Sequence, residues 1–153
     1  MKCFVAGCFI ICPIILNAQM AAKTAVHLLQ QSHPEINWNI DSTRQGDFDC
    51  DGKRDTVVLG AQRERVAVGV VWGELGKHPT VSVFPLRSPT QDGFCSVPKR
   101  VELTAHDCDS GEGTLPGCKV NPSCKDFRVV DDDCDAFNFY WDSEHKELEW
   151  WRR

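Results

Sequence analysis

Nine consecutive residues, Asp47-Phe48-Asp49-Cys50-Asp51-Gly52-Lys53-Arg54-Asp55, place carboxylates at positions one, three, five and nine of a short run. A hard divalent cation takes six to eight oxygens in a flexible shell, and alternating aspartates can fold inward around one centre to supply them. Gly52 at position six permits the sharp turn that such a loop needs. The backbone carbonyl of Lys53 stands at position seven, where any residue serves as a ligand, and Asp55 can bind directly or through water. The expected ligand set is therefore Asp47, Asp49, Asp51, Lys53 and Asp55, and the expected ion is Ca2+. Without a cation the carboxylates would repel one another, with Lys53 and Arg54 offsetting that only in part. The alternative is an Asp/Gly turn closed by side chain to backbone hydrogen bonds, with no metal.

An EF-hand would close with a bidentate Glu at position twelve, and that position here is Val58, in an apolar run. The incomplete shell predicts weak affinity, about 10⁻⁴–10⁻³ M, and an ion acting as a structural clamp. A DxDxDGxxD run that feeds straight into a strand resembles the calcium loops of FG-GAP and VCBS-type repeats. The chain is also similar to small exported bacterial proteins in which a helix, one such loop, several strands and a terminal aromatic-Trp-Asp strand follow in order. Phe139-Tyr140-Trp141-Asp142 is the terminal match. The resemblance is specific over residues 46–59 and loose elsewhere. It implies a calcium loop and no defined activity, and the single copy departs from seven-bladed propellers.

The compartment follows from the first residues and the cysteines. Lys2, the apolar run from Phe4 to Leu16 and the small residue Ala18 before Gln19 read as a signal peptide over residues 1–18, leaving a single domain over residues 19–153. The run is short for a membrane span, so no stable insertion is expected after cleavage. Val5-Ala6-Gly7-Cys8 has the form of a lipid-attachment box, but most of the apolar stretch follows Cys8 instead of preceding it, and lipidation is not expected. Cleavage removes Cys3, Cys8 and Cys12, leaving Cys50, Cys95, Cys108, Cys118, Cys124 and Cys134. An even set in an exported chain predicts three disulfides, among fifteen possible pairings. Zinc is the rival reading, but no CxxC pair occurs and a periplasmic or secreted location favours bridges.

Charge narrows the partner class. The chain carries 17 basic and 22 acidic residues, a net charge of −5, and the segment from Asp107 to Asp135 alone holds eight acids against three bases. Nucleic acid requires a basic surface and is excluded on that ground. The acids Asp107, Asp109, Glu112, Asp131, Asp132 and Asp133 are the expected contact residues for a cationic protein. A second cation site at Asp107, Asp109 and Glu112 lacks a full loop spacing, so solvated acidic loops are the expectation for both segments. No nucleophile elbow, HExxH helix, phosphate loop or dinucleotide fingerprint is present. These observations lead to a binding protein, such as an inhibitor or immunity protein against a cationic enzyme or toxin. Two alternatives stand beside it: a secreted hydrolase of cell wall or polysaccharide, and a calcium-dependent carbohydrate-binding module with an exposed tryptophan near the loop.

The elements that must hold the loop are legible as changes of period. Residues 20–33 read as a helix, with Met20, Thr24, His27, Leu28 and Gln31 at three- and four-residue steps and Val26 and Leu29 widening the stripe. Pro34 stops it. Residues 36–40 alternate as a short strand into the loop, and Val57-Val58-Leu59 begins the strand that leaves it. Further strands are expected at Val66–Trp72, Val81–Phe84, Lys99–Ala105, Phe127–Val129, Phe137–Trp141 and Leu148–Trp150. Pro85 limits the third strand to an edge or an end. Cys108, Cys118 and Cys124 are expected to staple the irregular stretch 106–125. The fold class is α+β: an N-terminal helix packed on a mainly antiparallel β-meander, stabilised by the calcium loop and disulfides.

Overall fold

A computed structural model of the chain describes residues 13–73, 77–87 and 92–152, with side chains from residue 19 onward. The elements in order are α1 (Pro13–Ser32), β1 (Asn37–Gly46), β2 (Asp55–Gln62), β3 (Arg65–Val71), β4 (Thr80–Pro85), β5 (Arg100–Ala105), β6 (Lys125–Val130), β7 (Phe137–Asp142) and β8 (Glu147–Trp151). Every neighbouring pair is antiparallel, and the strands form two four-stranded sheets in sequential order, β1-β2-β3-β4 and β5-β6-β7-β8. The meander is thus split in two, and the helix packs on the first half. The expected leader, residues 1–18, lies outside the described residues except for the backbone of α1 from Pro13. No helix among the described residues is long and apolar enough to cross a membrane.

Alternation along the strands explains how the sheets meet. Val57 and Leu59 of β2, Val66, Val68 and Val70 of β3 and Phe84 of β4 share one core with Phe127 and Val129 of β6 and Phe137, Phe139 and Trp141 of β7. Ring pairs tie the sheets together: Phe84 lies 4.9 Å from Phe137 and 5.5 Å from Trp150, and Trp72 lies edge-on to Trp141 at 5.4 Å. Aromatic pairs in such tilted geometries add about 0.5–1.5 kcal/mol each beyond the area they bury. Trp150 faces this core while staying 36% exposed, as an edge-strand position allows. As expected from Pro85, β4 is an edge strand that ends at that residue.

The other face of the first sheet carries α1. Ala25 and Leu29 are buried there with Val58, and Val26, Trp38, Val71 and Val81 pack around them. The expected stripe through Met20 and Leu28 is wrong in its angle: Met20 is 63% and Leu28 39% exposed. The helix lies down on the edge of the expected stripe that Val26 and Leu29 form, together with Ala25. Gly69 in β3 makes room, since a Cβ there would sit 2.8 Å from both Leu29 Cδ2 and Trp38 Cζ3. Close helix-on-sheet packing selects small residues, and alanine carries little weight in a periodicity of large apolar side chains.

Candidate metal centre

The loop between β1 and β2 is built by its own aspartates. Asp47 Oδ2 accepts from Gly52 N at 3.0 Å, Asp49 Oδ1 from Asp51 N at 3.3 Å and Asp51 Oδ1 from Lys53 N at 2.7 Å. Each bond reverses the chain by a few residues, the local geometry for which Asp is selected in turns. Cys50 at φ 64° and Gly52 at φ 82° supply the left-handed corners. Asp55, the first residue of β2, is fully buried and ties the loop to the segment that follows β3 at the same end of the first sheet. Its Oδ2 accepts from Phe48 N at 2.7 Å and its Oδ1 from Gly73 N, just past β3, at 2.8 Å.

Three of the four expected carboxylates converge. Asp47, Asp49 and Asp55 each offer an oxygen, and these oxygens lie within 4.8 Å of one another. Asp51 does not join them: it is turned toward Lys53, whose Nζ lies 3.3 Å from its Oδ2. The ordinary turn has enough side-chain oxygens for its backbone N–H groups, and it still leaves one over. Asp47 Oδ1 is buried and has no hydrogen-bond partner. A buried carboxylate oxygen without a donor is costly, and a cation or an ordered water would relieve it.

Electrostatics agree with the geometry. Burial pushes the Asp55 carboxyl up to about 6, against the pull of the Gly73 and Phe48 N–H bonds, and the charges of Asp49 and Asp51 push it further the same way. Asp51 lies below the usual carboxylate range: its slight burial works against ionisation, but the Lys53 N–H bond and ammonium outweigh it. The donor set is all oxygen and anionic, which suits a hard cation such as Ca2+ or Mg2+ over zinc. Asp47, Asp49 and Asp55 would hold the ion, and the ion would offset the smaller, repulsive part of the rise at Asp55, whose larger cause is burial.

One disulfide, Cys50–Cys124, locks this loop to the second sheet. Cys50 pairs with Cys124, Cys95 with Cys134 and Cys108 with Cys118. Of the three cysteines expected to staple residues 106–125, only Cys108 and Cys118 close it on itself, while Cys124 reaches across to the aspartate loop. Lys125 N donates to Asp47 O at 2.9 Å beside that bridge, and Phe48 packs 4.9 Å from Phe127. Three bridges among the described residues fit an oxidising, exported environment.

The acidic segment is divided by the fold. Asp107, Asp109 and Glu112 are exposed on the loop after β5, close to the Ala105–Lys125 end of the β5–β6 pair. Asp131, Asp132 and Asp133 follow the opposite end, where Arg100 pairs with Val130, about 17 Å away along the strands. Asp131 is 3% exposed and accepts from Cys95 N, Ser96 N, Ser96 Oγ and Asp133 N, so it is an internal turn anchor and not the surface acid expected. Burial opposes its charge, but these bonds win and hold its carboxyl below the usual range. Asp132 is exposed and paired with Arg100 at 3.0 Å. The acids do not form one face.

Two residues of consequence have no signal in the sequence spacing. His106 is buried, with Nδ1 2.7 Å from Asp126 Oδ1 and Nε2 3.0 Å from the Lys119 carbonyl. Lys77 Nζ donates to Asp49 Oδ2 at 2.5 Å, twenty-eight residues away. The tryptophans near the loop, Trp72 and Trp141, are 6% and 8% exposed and offer no open sugar platform. The chain matches no family model, no curated protein and no solved structure.

Proposed function

We propose that this is an exported, disulfide-stabilised binding protein whose Asp47–Asp55 loop is clamped by Ca2+, and that it acts by contact and not by catalysis. One observation carries the metal reading: Asp47, Asp49 and Asp55 converge, and Asp47 Oδ1 is buried with no donor. The resemblance of the loop to FG-GAP and VCBS-type calcium loops supports the identity of the ion. The carboxyls with raised pKa, Asp55 and Asp126, are both buried and bonded to backbone N–H groups, an arrangement that favours structural over catalytic work.

The contact surface is the end of the molecule beside the clamp, carrying Asp107, Asp109 and Glu112, and the partner is a cationic protein such as a wall-degrading enzyme or a delivered toxin. Fixing this loop end through Cys50–Cys124 would let an ion at Asp47 hold the shape of the neighbouring acidic loop. Titration calorimetry with calcium chloride tests the clamp, with a dissociation constant near 10⁻⁴–10⁻³ M expected and no heat at millimolar calcium counting against it. Retention of a basic partner on the immobilised protein tests the contact role. It should weaken on raising salt or adding a chelator, and retention indifferent to both would refute the surface assigned.

A further inference from the structure

Lys77 stands where no calcium-loop pattern calls for a base. Its ammonium donates to Asp49 Oδ2 and lies 4.1 Å from the centre of the Trp72 ring and 5.0 Å from that of Trp141. The aromatic seat is fixed: Trp72 meets Trp141 edge-on at 5.4 Å, and its Nε1 donates to Thr80 Oγ1 at 3.0 Å. Asp49 is the more enclosed partner, with a side chain 4% exposed against 30% for Lys77. An ammonium held over indole faces and against a shielded carboxylate is a cation site already filled by the protein itself.

Asp49 Oδ2 is bonded to this ammonium, and Asp49 is one of the three acids that converge. A divalent ion entering the cluster would meet a unit positive charge on one of its own ligands, and the two cations repel. We infer that Lys77 is an internal competitor for the metal, holding Asp49 when the loop is free of calcium and leaving Asp49 and the Trp72 and Trp141 rings when calcium binds. The inference rests on the calcium reading above and adds its regulation. It makes weak affinity a built-in property and not only a result of the missing twelfth ligand. It also couples the metal to the aromatic edge of the core, so that tryptophan emission reports the site.

The test titrates calcium chloride into the full chain and into Lys77→Met, by calorimetry and by tryptophan emission together. The methionine variant should bind at least ~10-fold more tightly, as expected when one nearby positive charge is removed. Wild-type emission should change along the binding isotherm, and the variant's emission should not. Lys77→Gln, which keeps a polar end without the charge, is read in parallel, so a folding defect in one variant leaves the comparison intact. Equal affinities in wild type and variants, with calcium bound in all, would overturn the competitor role and leave the clamp standing. Absence of calcium binding in all three would overturn both.

Discussion

Two acid-rich loops sit at one end of the molecule, joined by the Cys50–Cys124 bridge, yet they handle their charge differently. In the 106–126 segment, acids are spent locally. Asp107 Oδ1 accepts from Asp109 N at 3.1 Å, Asp109 Oδ1 from Gly111 N at 2.8 Å, and the buried Asp126 faces the ring of His106. The Lys119 carbonyl can only accept, so His106 Nε2 must donate, and an Nδ1–H donating to the Asp126 carboxylate completes an imidazolium. Burial works against that charge, but the Asp126 and Lys119 bonds outweigh it and raise the His106 pKa. In the 47–55 loop the same kind of turn bonds form, but Asp47 Oδ1 is left without a donor while Lys77 donates to Asp49. Acid density does not make a metal site. Convergence with an oxygen left over is what the proposed metal site rests on.

Breaking the bridge between the loops should have the largest effect. Replacing Cys50 and Cys124 by serine opens a 74-residue separation and should cost about 4 kcal/mol in denaturant unfolding, against about 3 kcal/mol for Cys108 and Cys118 at a separation of 10. Calcium affinity should fall only in the first variant. Equal affinity losses in both would erase the distinction drawn between the loops.

Neutralising one acid in each loop sharpens the same contrast. Asp47→Asn should raise the calcium dissociation constant by ~100-fold, about 2.7 kcal/mol, while Asp109→Asn leaves it unchanged. In chelator, Asp47→Asn should be neutral or mildly stabilising, because the buried carboxylate oxygen without a donor gives way to an amide end. Melts of the two variants in calcium and in chelator check both statements.

The smallest expected effect is the His106 part of the pH dependence, which follows the fall in stability expected as Asp55 ionises near pH 6. His106 has a folded pKa raised above 6.5, so its contribution is fully present below about that pH and is lost as pH rises through the folded value. In chelator, the melting temperature should therefore decline above about pH 6.5, and His106→Gln should flatten that decline. A decline of equal slope in the variant would remove the imidazolium from the account.

Much of the fold is legible in the chain because its strands alternate cleanly. Val66, Val68, Val70 and Trp72 point one way, as do Phe137, Phe139 and Trp141, and both sets end up in the shared core. Pro85 marks an edge by removing a donor. The helix face was legible at Val26 and Leu29, while Ala25 carried no periodic signal and Met20 and Leu28 pointed the stripe too far round. The Cys50–Cys124 pairing was hidden because it follows the approach of Lys125 to Asp47, which depends on how the two sheets face each other. At the site, spacing found Asp47, Asp49 and Asp55 but could not show that Asp51 turns out to Lys53 or that Lys77 turns in. Asp131 and Asp132 look alike in sequence, and only burial separates the turn anchor from the surface acid.

The most direct test of the clamp is thermal unfolding of the wild-type chain in about 5 mM calcium and in chelator. With a dissociation constant of about 10⁻⁴–10⁻³ M, calcium should add about 1–2 kcal/mol and raise the melting temperature by several degrees. That rise should vanish in Asp47→Asn. Identical wild-type melts in calcium and chelator would contradict the account and return the loop to an ordinary aspartate turn.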